Sequence, residues 1–277
     1  MSMVRSLLAS HDMLASDDAR REAEILLGHA LDKSRAWLYA HGDDEISDAA
    51  AETFRSLLKQ RVAGTPVAYL VGHREFWTLE FVVTPAVLIP RPDTELLVEL
   101  ALRQIPQGEK VDIVDLGTGS GAIALSIARE RPLACVVATD ASDEALAVAR
   151  INAERLEIRN VEFLLSDWFG SLNRSMFDVI VSNPPYIASN DIHLSQGDLR
   201  FEPRGALASG FDGLDAIRDI VRNAPKHLKP GGGLLIEHGL DQGEAVRELF
   251  TQSGIVDIST SRDVESRERV TSGRKPS

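Results

Sequence analysis

The chain has 277 residues, 44% of them apolar and 26% charged, with a formal net charge of −12. That is the composition of an ordinary globular protein of one large or two modest domains, and its acidity argues against a duplex-binding face, although a local basic patch can hide in an acidic total. One cysteine excludes an internal disulfide, the seven histidines show no zinc spacing, and no apolar run reaches the roughly 18 residues of a membrane span, so a cytoplasmic, metal-free protein is expected.

Residues 1–73 read as a helical domain. Arg20 to Leu31 sets Ala23, Ile25, Leu26, Leu27, Ala30 and Leu31 in an apolar stripe, with Asp17 or Asp18 placed to cap it. Asp48 to Val62 carries a second stripe through Ala51, Phe54, Leu57, Leu58 and Val62, closed by Gly64 and Pro66. Amphipathic helices without a catalytic motif suit a small bundle that packs or recognises something. Residues 74–90 change to an aromatic and β-branched pattern, predicting a β-hairpin linker, and residues 91–277 form the second domain. Pro90 and Pro92 flank Arg91, and Asp93 or Thr94 begins a helix over Glu95 to Leu102.

Strands and helices then alternate. Strands are predicted at Val111 to Leu116, Cys135 to Asp140, Val161 to Asp167, Phe177 to Ser182 and Leu234 to His238. Helices are predicted at Gly121 to Arg131, Asp143 to Leu156, Leu214 to Leu228 and Gly243 to Ser253, and an antiparallel pair over Val256–Arg262 and Arg269–Ser272 closes the chain. Alternation at this spacing means a mainly parallel sheet covered by helices on both faces. Cys135, inside an apolar run, is expected to be a buried small hydrophobe.

Four strand ends carry polar chemistry. Asp115 precedes Gly117-Thr118-Gly119-Ser120-Gly121, a G-x-G-x-G turn rather than the G-x-G-x-x-G of dinucleotide sites. An acid beside the glycines repels phosphate but suits a cationic ligand such as S-adenosylmethionine, which carries a sulfonium and an ammonium and no phosphate. Asp140 ends the next strand, where a carboxylate accepts ribose hydroxyls. After the third, Asp167 is placed to accept from an adenine amine and Trp168 to cover the ring. The fourth runs into Asn183-Pro184-Pro185-Tyr186. Prolines hold φ near −65° and donate nothing, so this stiff corner presents an amide side chain and carbonyls to a planar –NH2 group.

These motifs, in this order, resemble the S-adenosylmethionine-dependent amino-methyltransferases. REFW at 74–77, LIPRPDTE at 88–95, NPPYI at 183–187, FEP at 201–203, EHG at 237–239 and ERVTSGR at 268–274 narrow the resemblance to the protein-(glutamine-N5) methyltransferases of peptide-chain release factors. The likeness covers nearly the whole chain. It implies a Rossmann-like, seven-stranded α/β methyltransferase domain behind a helical-bundle domain that recognises the release factor. It implies that residues 117–121 line the methionine end of S-adenosylmethionine, with Asp140 on the ribose, Trp168 beside the adenine and Asn183 next to both cofactor and substrate. Asn183, Pro184, Pro185 and Tyr186 then form the site for the glutamine of the Gly-Gly-Gln loop of class I release factors. The reading gives Asn183, Pro184 and Tyr186 the catalytic work and Arg91 a contact to the release-factor backbone. Glu202 is expected to order the loop after the corner, and residues 188–213 to form a lid or groove.

The main alternative is a DNA or RNA methyltransferase acting on an exocyclic base amine such as that of adenine. The same corner serves that chemistry, and Tyr186 supplies a stacking ring for a flipped base. The net charge of −12 and the lack of a basic recognition segment weigh against it. A non-catalytic cofactor-binding module is the other alternative, but it has no use for two acceptors aimed at an amine.

Overall fold

Helical periodicity governs the first unit, Met1–His73, of the computed structural model, which describes residues 2–173 and 176–277. Its elements are β1 (Ser2–Met3), α1 (Val4–Leu8), α2 (Ala19–Leu31), α3 (Arg35–Ala40), β2 (Glu45–Ile46), α4 (Asp48–Val62) and α5 (Val67–Val71). Leu26 and Leu27 of α2 meet Phe54 and Leu58 of α4 around a core that also buries Val4 and Leu38. Ser47 caps α4 by accepting from the Ala50 amide. The N-cap of α2 is Asp18, but its carboxylate makes no capping bond. Its backbone, at φ −99° and ψ 18°, lies outside the extended region from which a capping side chain reaches the N2 and N3 amides. Glu24 is buried within this unit. Burial pushes its pKa up, but donors on Tyr39, Arg35 and Arg20 outweigh that and hold it below the ordinary value.

The hairpin of β3 (His73–Phe76) and β4 (Leu79–Val82) turns through Trp77 and Thr78. Both turn residues have positive φ, 49° and 61°, the pattern of a two-residue type I′ turn. The second unit, Arg74–Ser277, continues with α6 (Glu95–Gln104), β5 (Asp112–Leu116), α7 (Ala122–Glu130), β6 (Cys135–Asp140), α8 (Asp143–Arg155), β7 (Val161–Leu165) and β8 (Phe177–Ser182). It ends with α9 (Asp215–His227), β9 (Leu228–Glu237), α10 (Gly243–Gln252), β10 (Val256–Arg262) and β11 (Glu268–Arg274).

These strands form one seven-stranded sheet in the order β10-β11-β9-β8-β5-β6-β7. The four pairings that join β9, β8, β5, β6 and β7 are all parallel, and β11 runs antiparallel to both β9 and β10. Strand alternation splits the core into two layers. Ile113, Val136, Val179 and Val181 pack under α6 and α7, whereas Val114, Leu116, Ile180 and Ile236 pack under α9 and α10. The chain winds outward from β5 through β7, then returns to place β8 on the other side of β5. The crevice at the carboxyl ends of β5 and β8 is therefore a topological switch point, where open α/β sheets take their ligands.

Three expectations are corrected. Cys135 is exposed, because it is the first residue of β6 and stands on the face opposite buried Val136 and Ala138. β7 stops at Leu165, which leaves Asp167 and Trp168 in the turn beyond it. β9 starts at Leu228 rather than Leu234, because Phe177 of β8 already pairs with Leu228 before a register shift.

Candidate active site

The loop after β5 needs its glycines. Gly117, Gly119 and Gly121 have φ of 74°, 55° and 84°, left-handed values that side chains disfavour. The turn is strapped to β6, since the Gly117 and Thr118 amides both donate to the Thr139 carbonyl and the Gly119 amide donates to Asp140 Oδ2 at 2.8 Å. A side chain on Gly121 would strike Leu125 at 2.9 Å, while the position over Gly119 is open. Gly117 and Gly119 line a cavity of about 340 Å³. Thr118 and Ser120 are buried behind it, the Thr118 hydroxyl donating to Asp115 Oδ2 at 2.7 Å.

Asp140, Asp167, Trp168, Asn183 and Pro185 share that cavity with residues 86–88 and with Pro203, Gly205 and Ala206. Trp168 is held at φ 45° and lies against Gly117, where a Cβ would come within 3.3 Å of the indole. Ser166 supports the strained turn by donating to the Trp168 carbonyl and accepting from the Ser171 amide. Among the described residues no lysine or arginine lines the wall. A phosphate would meet two carboxylates and, among the described residues, no cation, whereas a nucleoside with a cationic tail fits the lining.

The Asn183-Pro184-Pro185-Tyr186 corner is built from β8. The Asn183 Nδ2 group donates to Thr94 Oγ1 at 3.1 Å, and Oδ1 takes no hydrogen bond from the described residues. The Tyr186 carbonyl accepts from Gln242 Nε2 at 3.0 Å. Gly213, at φ 78°, passes so close to it that a Cβ there would sit 2.2 Å from the carbonyl oxygen. Of the four corner residues, Asn183 and Pro185 reach the cavity wall. Pro184 is buried, and Tyr186 turns its hydroxyl toward Glu237 Oε1 at 3.4 Å.

Two models of protein families match the chain, the PrmC N-terminal domain over residues 2–72 and the methyltransferase small domain over residues 92–198. A release factor glutamine methyltransferase of Xylella fastidiosa (strain Temecula1) is 55% identical over 93% of this chain and 94% of its own length. The protein of the same name from Escherichia coli (strain K12) is 47% identical over 96% of each. The chain belongs to the release factor glutamine methyltransferase family. It is accordingly an S-adenosylmethionine-dependent methyltransferase of release factors. At the level of fold, a methyltransferase from Pyrococcus furiosus superposes with a TM-score of 0.55 at 18% identity, covering 80% of this chain and 98% of its own.

Arg91 does not line the cavity. It pairs with the fully buried Glu202 carboxylate, whose Oε2 also accepts from the Ile89 amide at 3.0 Å. These contacts tie Glu202, the residue before the cavity-lining Pro203, to the 89–91 segment. Residues 188–213 fold into three 3-10 turns, Ile192–Ser195, Leu199–Phe201 and Arg204–Ala206, with Ile187 bridged to Ala208. Among the described residues no cluster of His, Cys, Asp and Glu is arranged to hold a metal ion, and no helix is long and apolar enough to cross a membrane.

Sequence reading missed Thr94 and Glu237 as site residues. Thr94 looked like a helix start, and it is the partner of Asn183. Glu237 is 1% exposed at the end of the apolar run Leu234-Leu235-Ile236. An acid closing a buried strand was the available signal. Burial pushes Glu237 up to about 7, against the lowering pull of Thr94, Arg269 and Tyr186. Burial likewise pushes Asp115 up to about 7, with Thr118 pulling it down.

Both acids hold a proton in the folded chain that their unfolded forms, at 3.8 and 4.5, release earlier. Their contribution to stability is therefore full at about pH 4 and is lost as pH rises through 7. His238, whose pKa burial lowers, acts oppositely below its ordinary 6.5. The expected result is a difference measurement: Asp115→Asn gains on the native chain as pH goes from 5 to 8 in thermal melts, and a constant offset between the two melts would contradict the assignment.

Proposed function

We propose that this enzyme places the methyl group of S-adenosylmethionine on the side-chain nitrogen of the glutamine in the Gly-Gly-Gln motif of class I release factors. The observation that carries the reading is Asn183 on the cavity wall with Nδ2 committed to Thr94 and Oδ1 uncommitted. In this reading Gly117 and Gly119, shaped by Thr118, Ser120 and Gly121, hold the methionine end. Asp140 accepts from the ribose, and Trp168 lies beside the adenine. When bound, S-adenosylmethionine supplies a methyl group on a positively charged sulfur.

A carboxamide nitrogen is a weak nucleophile because its lone pair is delocalised into the carbonyl. The Asn183 Oδ1 and the Pro184 carbonyl each accept one hydrogen of the substrate –NH2. Two acceptors placed in advance stabilise the positive charge that grows on nitrogen and fix its direction. Pro185 and Tyr186 keep the corner rigid and shape the entry of the glutamine. Proton release after transfer needs no strong base. Arg91, which keeps about a third of its side chain exposed at 35%, offers the release-factor backbone a donor beside its Glu202 pair.

The bundle of residues 1–73 recognises the release factor, and the work is done in the cytoplasm without direct contact to nucleic acid. The net charge of −12 supports the last point. Incubation with radiolabelled cofactor and either release factor or DNA tests the whole reading. Label on the release factor, with the mass of one added methyl group on the glutamine peptide, is expected. Label on DNA alone overturns it.

A further inference from the structure

We infer that Gln242 is a positioning residue for methyl transfer, pinning the Asn183–Tyr186 corner and the loop beside it to the end of β9. The inference rests on the role given above to that corner. Gln242 is the N-cap of α10, yet its side chain makes no capping bond. The whole carboxamide is turned to other segments. Oε1 accepts from the Gly239 amide at 2.8 Å, and Nε2 donates to the Tyr186 carbonyl at 3.0 Å and the Asp212 carbonyl at 3.3 Å. A backbone N–H on one side and two carbonyls on the other admit one orientation of the amide, with one hydrogen for each carbonyl.

Two glycines make room for it. A Cβ on Gly213 would lie 2.8 Å from Nε2, and a Cβ on Gly239 would lie 3.0 Å from Oε1. The segments close on the carboxamide at distances that side chains there would spoil.

The corner needs an anchor at its far end. Proline rings hold φ at residues 184 and 185 but leave ψ open, and ψ at Pro184 sets where the Pro184 carbonyl points. Upstream, the chain is fixed in β8, where the Ser182 hydroxyl donates to the Leu116 carbonyl at 2.7 Å. Downstream, the Ile187 amide donates to Leu207, the Ser209 amide to Ile187 and the Ser189 amide to Gly210. Those bonds join the corner to its own loop, which reaches α9 where the Ser209 hydroxyl accepts from the Ala216 amide. Gln242 carries corner and loop together to the turn after β9, the parallel neighbour of β8. The Tyr186 hydroxyl adds a longer contact to Glu237 at 3.4 Å. Among the described residues, the cavity lining includes none of Gln242, Tyr186, Asp212 and Gly239. Loss of the Gln242 amide therefore acts on the aim of the corner and leaves the cofactor's seat in place.

The test is single-turnover methyl transfer by the full chain to a release factor, beside calorimetric binding of S-adenosylmethionine and thermal melts. Gln242→Glu keeps the shape and the acceptor for Gly239, but as a carboxylate it turns an oxygen to the two carbonyls in place of the –NH2. It is expected to slow transfer about tenfold, the worth of one net hydrogen bond, with cofactor affinity within about twofold of the native chain. Gln242→Met, which fills similar space and offers no donor, is expected to slow transfer as much. A residue that only filled space would let both variants transfer at the native rate. A native rate in either folded variant, or a cofactor affinity that falls in step with the rate, overturns the inference while Asn183→Ala is inactive. If the methionine variant does not fold, the glutamate variant decides alone. Failure of both to fold makes Gln242 a stability residue and overturns the inference too. An active Asn183→Ala overturns the role of the corner itself.

Discussion

Asn183→Ala is expected to abolish methyl transfer while leaving cofactor affinity within several-fold. Asn183 lines the cavity with Nδ2 held by Thr94 and Oδ1 free of hydrogen bonds from the described residues, and in the proposed reading Oδ1 meets the substrate amine. Alanine removes one of the two acceptors that meet the growing charge. Loss of one such preorganised group in a water-poor site costs on the order of 10² to 10³ in kcat. Loss of aim adds to that, because a free amine no longer dwells along one direction. The Pro184 carbonyl remains, so substrate binding weakens less than turnover does. Rapid-quench transfer to a release factor measures the first quantity and calorimetry with S-adenosylmethionine the second. Turnover near that of the native chain would remove the proposed mechanism.

The contrast between Asn183 and Thr94 shows where sequence reading stops. Asn183 was legible because its chemistry is local: an apolar strand, then an amide, then two prolines that cannot continue the strand. The glycine turn was legible for the same reason, and the order of strands and helices from β5 to β11 followed from hydrophobic period, whereas α1, α3, α5 and the short β1–β2 pair of the first unit did not. Thr94 lies 89 positions from Asn183 along the chain, and their hydrogen bond exists only because the 3-10 turn Pro92–Thr94 passes the end of β8. Arg91 and Glu202 were each noticed, but their pairing is a fact of loop packing, which no periodicity encodes. Cys135 failed for a different reason. Residue type and an apolar neighbourhood predict burial, but the face of a strand's first residue is decided by what lies over it.

Asp140→Ala should produce the complementary defect, a cofactor affinity weakened about 100-fold with a smaller loss in kcat. Asp140 Oδ2 accepts from the Gly119 amide at 2.8 Å and Oδ1 accepts from the Ser142 amide at 2.9 Å. A carboxylate has about four lone-pair directions, so both oxygens retain capacity for ligand hydroxyls on the cavity side. Alanine loses those contacts and also releases the glycine turn from β6. Hydrogen bonds to a charged group contribute about 1.5–3 kcal/mol each, and 100-fold in affinity is about 2.7 kcal/mol. Asp140→Asn should fall between the two, because one amide oxygen still accepts while its –NH2 faces a backbone donor. The distinction from Asn183 is thermodynamic. One variant binds cofactor and does not turn over, and the other turns over once cofactor is forced on by concentration. Unchanged cofactor affinity in Asp140→Ala, measured by calorimetry on the folded variant, would mean that the ribose is held by another group.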